Sequence, residues 1–147
     1  MHHSKRTAMA RKKISGPAQY LVDTGRLKGR VLDYGSGRGF DAQSLKLRSY
    51  DPHWGPSMPD GEFDTVMCNY VLNVLPEKGE RDKVIAGIKQ KLKVRGVAYI
   101  AVRNDRENLN GYTKIGTWQG LIKLDLPVVA TNSNYKIYKL EKTEEKR

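Results

Sequence analysis

Three glycines at alternate positions, Gly35, Gly37 and Gly39, follow the short apolar run Val31-Leu32-Asp33-Tyr34. A strand breaking into glycines predicts a tight turn that reaches positive φ and lets backbone approach a ligand with no Cβ in the way, before a helix starts near Phe40. That is the anatomy of a nucleotide-binding loop. Two carboxylates frame it: Asp33 precedes it, and Asp51, fourteen residues after Gly37, ends a second short run from Leu47 to Tyr50. A carboxylate at a strand's C-terminal end suits the two hydroxyls of a ribose. Asn69-Tyr70, just past the strand predicted over Thr65 to Cys68, places an amide donor and acceptor beside an aromatic ring.

The loop is Gly-x-Gly-x-Gly, not the Gly-x-Gly-x-x-Gly of dinucleotide-binding folds. With Asp33 and Asp51 it resembles motif I and the following acidic position of the class I S-adenosylmethionine (SAM) dependent methyltransferases. The resemblance implies a cofactor site built from Asp33, Tyr34, Gly35, Ser36, Gly37, Gly39, Asp51 and Pro52, with Asp33 by the methionine end and Asp51 on the ribose. The segment Phe63 to Pro76 resembles motif IV of that family, whose last strand residues lie beside the methyl group. Asn69 and Tyr70 are thereby implied as catalytic residues, and Asn69 also as a cofactor contact. Amino-directed nucleic-acid methyltransferases carry two prolines between that Asn and the aromatic residue. Here they are missing, which argues against an exocyclic amine as target. Asn73 matches a pocket-lining position, or starts a helix. Trp54 and Met58 are able to pack on an adenine, or equally to plug the core. A shorter set of landmarks, Ser4 to Ala8, the glycine loop, Asn69 to Leu75 and Gly116-Thr117-Trp118-Gln119, is similar to bacterial methyltransferases associated with DNA phosphorothioation. On that similarity Thr117 and Gln119 become acceptor-site candidates, with a hairpin-edge role as the alternative.

The elements that position these groups follow from pattern. Ser15-Gly16-Pro17 predicts a helix start with Ser15 as cap, an apolar face of Leu21, Val22 and Leu27, and Gly25 as the stop. In the family such a helix covers part of the SAM site. Glu80 to Lys93 predicts an amphipathic helix, with Val84, Ile85, Ile88 and Leu92 opposite Lys83, Lys89, Lys91 and Lys93, stopped by Gly96. Val97 to Val102 is an unbroken apolar run suited to a central parallel strand, followed by the polar turn Arg103 to Asn108, where Arg103 either contacts a substrate anion or forms a surface ion pair. Strands are predicted over Tyr112 to Trp118, Leu126 to Ala130 and Tyr135 to Leu140, the last two joined by the turn cluster 131–134. The expected fold is therefore α/β: a Rossmann-like, mostly parallel sheet with flanking helices and a C-terminal antiparallel hairpin. Pro52 to Gly61 is too rich in Pro and Gly for regular structure. Family members fit a helix and a strand there, so the expected form is shortened between the second strand and Thr65 to Cys68.

The 147 residues are expected to form one domain, with a basic segment at 1–14 and a charged tail at 141–147. One cysteine, Cys68, rules out an internal disulfide or a Cys-based zinc site and suits a reducing cytoplasm, and no metal is expected. No apolar stretch is long enough to span a membrane, and no signal peptide is visible. Net charge is +11, unevenly spread: residues 1–30 hold eight Lys or Arg and one acid, residues 31–64 three basic and six acidic side chains. The acidic segment suits a cationic sulfonium. The basic segment suits DNA or RNA, or is a solubilising tail. SAM is the expected cofactor and NAD the rival, since a carboxylate after a Gly-rich loop serves both. Methyl transfer is the expected reaction, most plausibly to a nucleic-acid base. A small-molecule acceptor, SAM cleavage and a non-catalytic SAM-binding module remain open, as does the oligomeric state. His53 is a weak candidate base.

Overall fold

The computed structural model describes residues 13–104, 110–112 and 118–143. Helix α1 spans Gly16–Asp23, capped as its sequence predicts: Ser15 is extended, and its Oγ accepts from the Ala18 N–H. Gly25, at φ +65°, closes the other end. Ala18 and Leu21 form the buried face, while Val22 is exposed. Then follow β1 (Val31–Tyr34), α2 (Phe40–Leu45), β2 (Arg48–Tyr50), β3 (Phe63–Asn69), a 3-10 turn (Leu72–Val74) and α3 (Lys78–Lys91). The chain continues through β4 (Leu92–Arg103), β5 (Asn110–Tyr112), β6 (Trp118–Gly120), β7 (Val128–Thr131) and β8 (Tyr135–Glu141). Among the described residues no helix is long and apolar enough to cross a membrane.

The main sheet has the order β2-β1-β3-β4-β8-β7; β1 pairs in parallel with β2 and β3, β3 with β4, and β8 runs antiparallel to both β4 and β7. Period-two alternation sorts its side chains into two layers. Leu32, Val66, Cys68, Ala98, Ile100 and Val102 face the layer holding Ile88 of α3. Met67, Tyr99, Ala101 and Ile137 face the layer of Ala18 and Leu21 of α1. Because the chain steps outward from β1 to β2 and then returns to β3 on the other side, the direction of winding reverses between β1 and β3. In an open α/β sheet a crevice opens at the C-terminal ends of the strands at such a point. Gly35 and Asn69 lie at those ends.

The shortening between β2 and β3 holds: residues 51–62 form neither helix nor strand, and β2 is the sheet edge. The loop is pinned instead. The Arg30 guanidinium donates to the Asp60 and Glu62 carbonyls at 2.9 and 3.0 Å and lies 4.1 Å from the Phe63 ring centroid, while Lys91 Nζ donates to the Pro59 carbonyl at 2.7 Å.

Three sequence expectations need correction. The helix predicted from Glu80 to Lys93 begins at Lys78 and ends at Lys91, so Leu92 is buried as the first residue of β4. Gly96 does not stop it; it lies within β4, where a Cβ would come 2.8 Å from the Lys93 carbonyl oxygen and 3.1 Å from that of Phe63. The run Tyr112 to Trp118 is not one strand, since Tyr112 and Trp118 pair across the antiparallel strands β5 and β6. Residues 113–117 between them, Thr117 included, lie outside the described residues, as do residues 1–12 and 144–147.

Candidate functional site

A cavity of about 520 Å³ opens at the C-terminal ends of β1, β2 and β3. Its floor is the glycine loop. Gly35, Gly37 and Gly39 have φ of +78°, +60° and +83°, and the Gly35 and Ser36 N–H groups donate to the Tyr50 carbonyl at 2.8 and 2.9 Å. A Cβ on Gly35 would stand 2.5 Å from Val71 Cγ2, so conformation and space both demand glycine there.

Asp51 holds the loop in place. Its Oδ2 accepts from the Gly37 N–H at 2.8 Å, and its Oδ1 from the His53 and Trp54 N–H groups at 2.8 and 2.9 Å. A carboxylate offers about four acceptor positions, so roughly one remains for a ligand while these bonds persist. The expectation that Asp51 takes both hydroxyls of a ribose is thus modified: it organises the loop and has room for one.

Asp33 is 3 % exposed, and burial pushes its carboxyl up to about 8, with the Asp41 and Asp51 charges adding to the shift. Asp41 is committed elsewhere, accepting from the Ser15 N–H at 2.9 Å and the Ser15 hydroxyl at 2.6 Å. This ties the cap of α1 to the first turn of α2 and brings Ser15 to the cavity wall.

Across the cavity stand Asn69 and Tyr70. Tyr70 has φ +61°, a left-handed conformation uncommon for any residue but glycine, and its N–H donates to the Ala101 carbonyl at 2.8 Å. Such strain persists where the surroundings over-determine it, typically at functional sites. Asn69 Nδ2 and Oδ1 are both buried without a hydrogen-bond partner, and so is Ser36 Oγ. An unsatisfied buried polar group costs about 1–3 kcal/mol. Three such atoms on the wall of one cavity suit a polar ligand.

The cavity brings together Asp33, Tyr34, Gly35, Ser36, Gly37, Asp51, Pro52, Asn69 and Tyr70. Gly39 is not on its wall; it precedes α2 and turns the chain into that helix. Trp54 is not there either. It is 42 % exposed, with the Arg38 guanidinium 4.8 Å from its ring centroid. Met58 packs against the core and His53 is off the wall, meeting the site through its backbone N–H. Asn73 and Gln119 belong to a buried pair, Asn73 Nδ2 donating to Gln119 Oε1 at 2.9 Å, outside the cavity. Arg103 lines a separate small recess. Sequence reasoning missed Ser15, Asp41, Tyr50, Glu80, Lys83 and Val84 as wall residues. The i, i+3, i+4 spacing of the last three was legible, but nothing local says what that face meets.

No family model and no curated protein matches the sequence. Solved structures do. The magnesium protoporphyrin IX methyltransferase of Synechocystis PCC 6803 with bound SAH is similar at 16% identity and TM-score 0.52, over 87% of this chain and 81% of that one. The N-methyltransferase NodS of Bradyrhizobium japonicum WM9 is similar at 10% identity and TM-score 0.51, over 88% of this chain and 98% of that one. The fold is therefore that of the class I SAM-dependent methyltransferases.

Proposed function

We propose that this chain, with its class I methyltransferase fold, binds SAM in the cavity above β1 and β3 and transfers its methyl group to an acceptor. The observation that carries this reading is the convergence on one cavity of a glycine cradle, two buried carboxylates and the unsatisfied Asn69 amide. The residues fit the group. A cationic ligand suits Asp33 beside Asp41 and Asp51, and the orphaned Ser36 Oγ and Asn69 amide offer it hydrogen bonds. SAM supplies, when bound, an electrophilic methyl group on a cationic sulfonium.

The chain's own part is to bind, orient and exclude water. Gly35 and Gly37 admit the ligand against backbone, Asp33 in its ionised form holds the cationic methionine end, and Asp51 fixes the loop and meets the ribose. Asn69 Oδ1 accepts from an N–H or O–H of the acceptor and so directs its lone pair. The Tyr70 ring gives that acceptor a flat wall. Alignment of donor and nucleophile accounts for much of the acceleration in such a transfer, so a charge-relay set is not required.

For the acceptor, the finer reading is a nucleic-acid base. The basic segment at residues 1–14 immediately precedes in sequence Ser15 on the cavity wall, and its Lys and Arg residues suit phosphates. A small-molecule acceptor is the second reading, favoured by the likeness to an enzyme named for magnesium protoporphyrin IX. Transfer of label from methyl-tritiated SAM into DNA, RNA or a metabolite extract tests both. Label in nucleic acid, with binding that falls steeply as salt rises, is expected. Label confined to metabolites would overturn the base reading. Methylthioadenosine formed without any acceptor would overturn methyl transfer itself.

A further inference from the structure

A second recess, of about 60 Å³, lies at the C-terminal end of β4, between that strand, Lys136 of β8 and the segment 121–123 that follows β6. We propose that it binds a backbone phosphate of the acceptor strand, held by Lys123 and Lys136. The inference rests on the nucleic-acid reading and adds to it an anion site outside the cofactor cavity.

The recess has an apolar floor and a cationic rim. Val102 and Ile122 are buried in the same core layer as Ile88 of α3. Lys136 is the antiparallel partner of Val102, and side chains paired across two strands lie on one face of a sheet, so Lys136 stands on the side of that floor. Arg103, one residue further along β4, alternates to the other face, which leaves Lys123 and Lys136 as the cations on the recess side. No acidic residue lines the recess, and among the described residues neither lysine forms an ion pair. Two ammonium groups with no carboxylate between them attract an anion, and a phosphate has oxygens enough to accept from both. Asn104 fixes the rim: its N–H donates to the Asn134 carbonyl at 3.0 Å and its Nδ2 to the Asn132 carbonyl at 2.9 Å, holding the turn that leads to Lys136.

The position of the recess fits a strand whose base enters the cavity. Ala101, whose carbonyl accepts from the Tyr70 N–H, immediately precedes Val102, so the Tyr70 wall and the recess are about 3.3 Å of β4 apart for each residue between them. On the other side the Asn73–Gln119 bond ties β6 to the turn after Tyr70, and residues 121–123 follow β6 directly. A base held against Asn69 and Tyr70 thus has a flanking phosphate within reach of the two lysines.

The test is binding of a single-stranded oligothymidylate, followed by fluorescence anisotropy across a salt series, with S-adenosylhomocysteine affinity measured on the same proteins. Combining Lys123→Gln with Lys136→Gln is expected to weaken oligonucleotide binding about tenfold at low salt and to reduce the salt slope by about one unit, with S-adenosylhomocysteine affinity unchanged. Lys28→Gln combined with Lys89→Gln removes the same charge from exposed positions at the opposite end of the sheet, before β1 and near the end of α3. That variant is expected to bind the oligonucleotide as the wild type does. Equal losses in the two double variants would reduce the effect to net charge and overturn the recess site. Wild-type affinity and slope in the recess variant would also overturn it, leaving the nucleic-acid reading standing, and so would a loss matched by loss of S-adenosylhomocysteine binding, which marks a damaged fold. Absence of salt-dependent oligonucleotide binding by the wild type overturns both.

Discussion

In the proposed site, Asp33 sets ligand binding against stability. Its carboxyl, raised to about 8, holds a proton in the folded chain that the unfolded chain releases near pH 4. Between those values the unfolded state binds fewer protons, so this group makes stability fall as pH rises through the window. Asp33→Asn removes that cost and is expected to raise the unfolding free energy near pH 7 by on the order of 3 kcal/mol, read by urea denaturation, while weakening binding of SAM. In the wild type, binding a cation should expel the proton, so SAM affinity should climb as pH rises from 6 toward 8, and the Asn variant should lose that climb. Gly35→Ala is expected to destabilise the fold by about 2 kcal/mol and to abolish ligand binding, because the new Cβ meets Val71 Cγ2 at a left-handed position. Adding Val71→Ala should recover part of the stability in thermal unfolding, and no recovery would refute the steric cause. Residues such as Asp33, Gly35 and Asp51 are legible in the sequence because their constraint is local. Ser15 with Asp41 is not, since their bond closes over a separation of 26 residues.

Among the elements, those with strong local grammar were read well. The Ser15 cap, the Gly25 stop and the unbroken apolar run Val97 to Val102 within β4 each state their structure within a few residues. Errors arise where tertiary contact overrides such signals. Gly96 looks like a helix stop, yet its reason is the crowding of three backbone carbonyls around the position of its missing Cβ. Gly96→Ala is therefore expected to cost about 1–3 kcal/mol by overpacking, measured by denaturant unfolding. A mere helix stop would tolerate it more lightly. The Tyr112 to Trp118 run shows the converse failure: its two ends pair with each other across antiparallel strands, and the sequence between them carries no strong turn signal.

At the scale of the molecule, alternation of strands and helices followed by a terminal hairpin made the fold class legible, and in the structure the cavity opens at the switch between β1 and β3. What sequence could not show is how the shortened segment survives without its own helix. Arg30 is the answer, by stacking on Phe63 while holding two carbonyls of the loop. Arg30→Ala is expected to lower stability by about 1–2 kcal/mol and to make residues 52–62 the first site of limited proteolysis. Cleavage elsewhere at an unchanged rate would contradict that role.

The most direct measurement is calorimetric titration of the wild-type protein and Asp51→Ala with S-adenosylhomocysteine, with NAD as the competitor. Submillimolar binding of S-adenosylhomocysteine, lost in the variant whose glycine loop has no carboxylate to hold it, is the predicted result. Tight binding of NAD with none of S-adenosylhomocysteine would contradict it.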